Sequence, residues 1–126
     1  MLDGGTGRDV LWGGAGDDVF VLDSADTTSS IATASVIADF TVPASATATN
    51  AETDSIQLTG DITTIWIDQS AYVATGLVDN DASIFDTVIY TNAAKTQILV
   101  VLEDFTGDLT GLVTNENDAV LEVTIL

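Results

Sequence analysis

Gly4-Gly5-Thr6-Gly7-Arg8-Asp9-Val10-Leu11-Trp12 runs directly into Gly13-Gly14-Ala15-Gly16-Asp17-Asp18-Val19-Phe20-Val21. One nine-residue unit is written twice, with glycine at places one, two and four, aspartate at six and a large apolar residue at eight. Glycines at those spacings allow the positive φ values of a tight turn, which a residue with a Cβ adopts only at a cost. Such a turn points its carbonyls inward, and the aspartate at its end adds a carboxylate. Hard oxygens of both kinds are what calcium prefers. The turn residues Gly4, Gly5, Thr6 and Gly7 with Asp9, and Gly13, Gly14, Ala15 and Gly16 with Asp18, are therefore the candidate calcium ligands. Each aspartate is followed by room for only a brief strand, whose central residue (Leu11, Phe20) faces one side while its neighbours face the other. Turn and strand together make half a coil.

The doubled unit resembles the RTX nonapeptide repeat, G-G-x-G-x-D-x-U-x, of the calcium-binding parallel β-roll in large bacterial proteins exported by type I secretion. Both copies match at every defined position. The resemblance implies that successive repeats lie on opposite edges of a roll, with each ion between a turn and the next turn on the same edge. The turn at Gly4 to Asp9 then needs a partner, either upstream or in the degenerate continuation Leu22-Asp23-Ser24-Ala25-Asp26-Thr27, which makes Asp23 a further candidate ligand. On this reading the chain holds the last coils of a longer roll, with Met1 at a cut. A purely structural pair of turns is the plainer alternative. A phosphate-binding loop is not, because no lysine follows the glycines and the chain is acidic.

Charge and composition bound the rest. Twenty acidic residues against Arg8 and Lys95 give a formal charge of -18, which argues against nucleic acid or an anionic membrane as partner. Yet 46% of residues are hydrophobic, so the signature of disorder does not apply. At 126 residues the chain can bury roughly two-thirds of its unfolded surface. Self-repulsion among so many carboxylates is relieved by divalent ions or salt, so stability is expected to rise with calcium. There is no cysteine and no histidine, which removes disulfides, common zinc sites and the usual general base. No stretch has the form of a signal peptide or a membrane-spanning helix.

Downstream, Asp23 to Ser35 reads as a loop or a loosened coil. Val36-Ile37-Ala38-Asp39-Phe40-Thr41 and, after a loop from Pro43 to Thr53, Asp54-Ser55-Ile56-Gln57-Leu58 are similar to the D-x-I-x-D-F and D-x-I-x-L strings that close such rolls. Ser35 stands where the first aspartate of that pattern falls, and the carry-over of a ligand stops there. Asp54 matches and joins the candidate ligands. The alternative is that Asp39 and Asp54 only cap short strands while Ile37, Phe40, Ile56 and Leu58 fill a core.

From Asp61 onward the chain reads as strands and turns. Ile62 to Ile67, with Trp66, is one β-branched run, and Ile84 to Tyr90 is another, entered through the acidic turn Asp79-Asn80-Asp81. Thr91 to Thr96 supplies a turn that makes Ile89-Tyr90 and Gln97 to Leu102 an antiparallel hairpin. Asp86 to Phe105 is similar to the hairpin that covers the end of the family's rolls. Leu121, Val123 and Ile125 alternate with Val120, Glu122 and Thr124 as in a half-buried strand. The acidic-then-apolar terminus Glu116 to Leu126 also resembles an uncleaved type I secretion signal.

The expected fold is all-β: a short calcium-binding parallel β-roll remnant over residues 1–27, followed by a mostly antiparallel β region over residues 28–126. The resemblance implies a bacterial protein, secreted or at the cell surface, whose repeats stay open in a calcium-poor cytosol, pass a type I exporter and close on calcium outside. Catalysis within these residues is not expected, since neither G-x-S-x-G nor H-E-x-x-H occurs. A hydrolase tail and the end of a large adhesin or surface-layer protein stay open as settings. The exposed roll edge is a candidate surface for self-association.

Overall fold

Among the described residues ten short strands build two facing sheets, and the reason is a burial pattern that repeats from coil to coil. The computed structural model describes residues 1–5, 7–42, 52–60, 62–71, 86–103, 105 and 107–126. Thr6, the span 43–51, Asp61 and the turn Asp79-Asn80-Asp81 with Ile84 lie outside them. The strands are β1 (Leu2–Asp3), β2 (Val10–Leu11), β3 (Val19–Asp23), β4 (Ser35–Ile37), β5 (Ser55–Thr59), β6 (Thr64–Ala71), β7 (Asp86–Tyr90), β8 (Ile98–Leu102), β9 (Val113–Thr114) and β10 (Glu122–Ile125). A 3-10 turn, Ile31–Thr33, precedes β4.

One sheet has the order β1-β3-β5-β9 and is parallel throughout; the other has the order β10-β6-β7-β8-β4-β2. The first five strands alternate between the sheets, which is the winding of a β-roll. Within β3 and β5 the burial pattern is the same, and Phe20 pairs with Ile56 and Leu22 with Leu58. Side chains two apart point to the same face, so these residues stack in columns. Leu2, Phe20, Ile56 and Val113 form one column, and Leu11, Ile37 and Leu102 form its counterpart in the other sheet.

The all-β fold is therefore the expected one, a parallel roll followed by antiparallel strands. The antiparallel pairs are β6 with β7 and β7 with β8, the latter being the hairpin closed by Thr91 to Thr96. In its loop Asn92 Oδ1 accepts from the amides of Thr96 and Gln97, both at 3.1 Å. Around this insert the parallel pattern runs on. β8 stacks on β4, β9 on β5, and the terminal strand β10 lies parallel to β6. In that terminal segment Leu121 is buried, but Ile125 is 70% exposed.

The main core holds Ile37, Phe40, Ile56 and Leu58, as their spacing suggests, together with Phe20, Ile65, Leu102, Phe105 and Leu109. A second cluster of Val36, Val88, Tyr90, Ile98 and Val101 is flanked by Ile31 and Trp66. Phe40 joins the repeats to the later coils: its ring centroid is 6.0 Å from that of Phe20 and 5.0 Å from that of Phe105, edge to face. Phe40→Ala should cost about 3–5 kcal/mol, whereas Trp12→Ala, at a side chain 60% exposed, should change stability by less than about 0.5 kcal/mol. Urea denaturation in saturating calcium measures both, and equal effects would contradict this packing.

Candidate metal centre

Parallel stacking brings the glycine turns against loops from the next coil, one pair on each edge of the molecule. At the first edge the turn Gly4 to Asp9 leaves β1 through the Asp3 carboxylate, whose Oδ1 accepts from the Gly5 amide at 2.9 Å. Gly5 and Gly7 have φ of 75° and 92°, values at which a side chain is strained. Gly4 matters for another reason: a Cβ there would come within 2.8 Å of Asp9 Oδ2, which curls back beneath it.

Residues of the loosened coil close over this turn. Asp26 Oδ2 accepts from the Gly7 amide at 3.0 Å. Ser35, in the place of the pattern's aspartate, accepts from the Asp9 amide and donates its hydroxyl to the Gly7 carbonyl, both at 3.1 Å. Between the two layers lies a cavity of about 10 Å³ whose polar walls are Gly4, Gly5, Asp9, Asp23, Asp26 and Ser35. That is room for about one water-sized sphere, or one ion.

At the second edge the turn Gly13 to Asp18 is held more tightly. The Asp39 carboxylate accepts from the Gly13 and Gly14 amides, each at 2.7 Å. Asp54 accepts from the Asp18 amide at 3.0 Å and the Thr41 amide at 2.8 Å. On the outside of the turn Asp17 accepts from the Thr53 amide at 2.8 Å. Asp18 Oδ2, by contrast, is buried with no hydrogen-bond partner among the described residues, and a Cβ on Gly13 would meet it at 2.6 Å.

Electrostatics at this edge are unfavourable without a cation. Asp54 is 1% exposed, and burial raises its pKa above the ordinary 3.8. The two amide bonds pull the value down, but the negative charges of Asp18 and Asp39 push it up again. A buried, orphaned carboxylate oxygen costs free energy that an ion can recover. Among the described residues no three acidic side chains converge as a complete ligand set. Calcium, which takes 6–8 oxygens, would have to draw on backbone carbonyls of the glycine turns as well. The oxygen-only donor set, the glycine frame and the unpaired Asp18 oxygen all fit such an ion.

Of the candidate ligands, Gly4, Gly5, Gly7, Asp9 and Asp23 gather at the first edge, and Gly13, Gly14, Gly16, Asp18 and Asp54 at the second. Ala15 and Gly16 form the exposed tip of the second turn, and Thr6 lies outside the described residues. Sequence reasoning left Asp26, Ser35 and Asp39 out of the set. Gly7 meets Asp26 19 positions on, Asp9 meets Ser35 and Gly13 meets Asp39 26 positions on, and Asp18 meets Asp54 36 positions on, so no single offset marks them in the sequence.

Residues 1–28 match the family model described as RTX calcium-binding nonapeptide repeat (4 copies). The amino-terminal segment is thus similar to an RTX calcium-binding repeat unit. No curated protein and no solved structure matches the chain. The RTX segment thus supplies both glycine turns, while Ser35, Asp39 and Asp54, which close them, lie beyond the matched residues.

The raised pKa of Asp54 fixes the sign of a pH effect in chelator. The folded state holds this proton more tightly than the unfolded chain. Its contribution to stability is complete below the ordinary 3.8 and lost as pH rises through the raised value. Thermal melts in chelator between about pH 6 and pH 4 should show wild type gaining on Asp54→Asn as pH falls. A gap between the two proteins that stays constant with pH would contradict the assignment.

Proposed function

We propose that this chain is a calcium-binding module that couples folding to export: its acidic edges remain open where calcium is scarce and close where calcium is plentiful, after type I secretion from a bacterial cell. The observation that carries the reading is Asp18 Oδ2, buried inside a glycine turn and beside the buried Asp54, with no hydrogen-bond partner among the described residues. A buried carboxylate oxygen without a partner costs free energy that a bound cation recovers. The RTX match over the first 28 residues supports calcium as that cation.

Export and an extracellular setting follow from the family resemblance and from charge. With -18 on 126 residues, the calcium-free chain repels itself, and bound divalent ions relieve the repulsion. Extracellular calcium modules bind at about 10⁻⁴ to 10⁻³ M, so millimolar calcium adds folding free energy by mass action. The acidic-then-apolar terminus Glu116 to Leu126 is the proposed signal for the exporter. On this reading the chain has no catalytic role, and whatever chemistry the parent performs lies elsewhere. The outer edges β1 and β2 are the proposed surface for any self-association.

Calorimetric titration with calcium, with magnesium as control, tests the binding. Wild type should bind calcium at a midpoint of about 10⁻⁴ to 10⁻³ M with a gain in thermal stability, and magnesium should give little of either. Asp18→Ala should weaken the second-edge site by about tenfold or more, since it removes a charged ligand. Equal binding of the two metals, or identical titrations of wild type and Asp18→Ala, would overturn the reading.

A further inference from the structure

The two turns are built from the same repeat, yet their backbone amides meet different partners. In the second turn the consecutive amides of Gly13 and Gly14 both point at one carboxylate, that of Asp39, at 2.7 Å each. Gly14 has φ of 82°. Consecutive amides around a left-handed residue form a concave nest with a partial positive charge, the backbone's own anion site. Asp39 fills that nest from within the chain. Both bonds are charge-assisted and short, the class roughly twice as strong as neutral pairs.

Asp39 is delivered there by strand register rather than by chance. β4 pairs with β2, the Ala38 amide donates to the Leu11 carbonyl at 2.9 Å, and Thr41 Oγ1 donates to the Asp39 carbonyl at 3.0 Å. Among the described residues the first turn has no equivalent. There the Gly5 amide is taken by Asp3 of its own strand, and Asp26 reaches the turn from the next coil through an exposed bond of 3.0 Å to Gly7.

We infer that Asp39 is a positioning residue for calcium: its carboxylate holds Gly13 and Gly14 in the binding conformation before the ion arrives, so the second turn is preformed in calcium-free protein and the first is not. The inference rests on the calcium reading of the Gly13 to Asp18 turn, and it concerns a residue outside the RTX match. Asp39 commits each oxygen to an amide and acts through the turn. The ion then meets a turn already ordered, and the ordering cost has been met within the fold.

The test is amide hydrogen exchange by NMR on the isotope-labelled chain in chelator, followed by a calcium titration read at residues of each turn. In wild type the Gly13 and Gly14 amides should exchange at least about tenfold more slowly than the Gly4 amide, for which the described residues of the next coil supply no such carboxylate. Asp39→Asn should release that protection and shift the calcium midpoint of the second turn by about tenfold, leaving the first turn's midpoint in place. Asp17→Asn removes the same charge from the same turn at a side chain that accepts from the Thr53 amide on the outside, so it should shift the midpoint by less than about threefold. If Asp17→Asn and Asp39→Asn behave alike, Asp39 contributes only charge and the inference is overturned. Wild-type calcium binding with Gly13 and Gly14 unprotected in chelator overturns it alone, a result that needs no variant to fold. A wild-type chain that binds no calcium at either turn overturns the functional reading and this inference together.

Discussion

Asp18, Asp39 and Asp54 bring three carboxylates to one edge of the molecule, close enough for the charges of the first two to raise the pKa of the third. The rest of the structure depends on how that repulsion is met. Backbone amides meet part of it: Gly13, Gly14, Asp18 and Thr41 all donate to these side chains. They leave Asp18 Oδ2 unmatched. Aspartate therefore does two jobs in this chain. It replaces the ladder bonds that short strands cannot supply, and it holds negative charge where only a cation can balance it. The first edge solves the same problem more loosely, with a serine hydroxyl in place of one carboxylate and a cavity of about ion size between the layers.

Charge at the edges works only because apolar columns run between them. Phe20 stacks on Ile56 and Ile56 on Val113, so the RTX segment and the strands that follow share one interior. Phe40, just past Asp39, packs against both Phe20 and Phe105. The residue that fills the core and the residue that holds the turn are thus neighbours in sequence. A cation at the second edge would tie Gly13 to Asp18 of the repeat to Asp54 at the start of β5, and so would stabilise both sheets rather than the repeat alone.

The repeats themselves were legible because their chemistry is local: glycine at a left-handed φ, aspartate at the turn's end, a single inward apolar residue. The core residues Ile37, Phe40, Ile56 and Leu58 were legible for the same reason, through spacing. The stacking of turns was not, because its period is not constant. Leu2 pairs with Phe20 eighteen positions on, two repeats' length, but Val10 pairs with Val36 and Val19 with Ser55. Loops inserted after β3 and after β4 stretch the coil, and with them goes any fixed-period route to Asp26, Ser35 and Asp39. Likewise the hairpin of β7 and β8 was visible in its turn residues, whereas the parallel seat of β8 on β4 depends on register that no local pattern encodes.

The most direct test of this account is whether calcium stabilises the shared interior or the repeats alone. Amide hydrogen exchange with and without calcium, followed by mass spectrometry, measures it at once for all coils. The account predicts that calcium slows exchange in β5 and β9, around Ile56, Leu58 and Val113, as well as in β3 around Phe20. Slowing confined to residues 1–28 would contradict it, because the ion would then serve the repeat without the columns that link it to the rest of the fold.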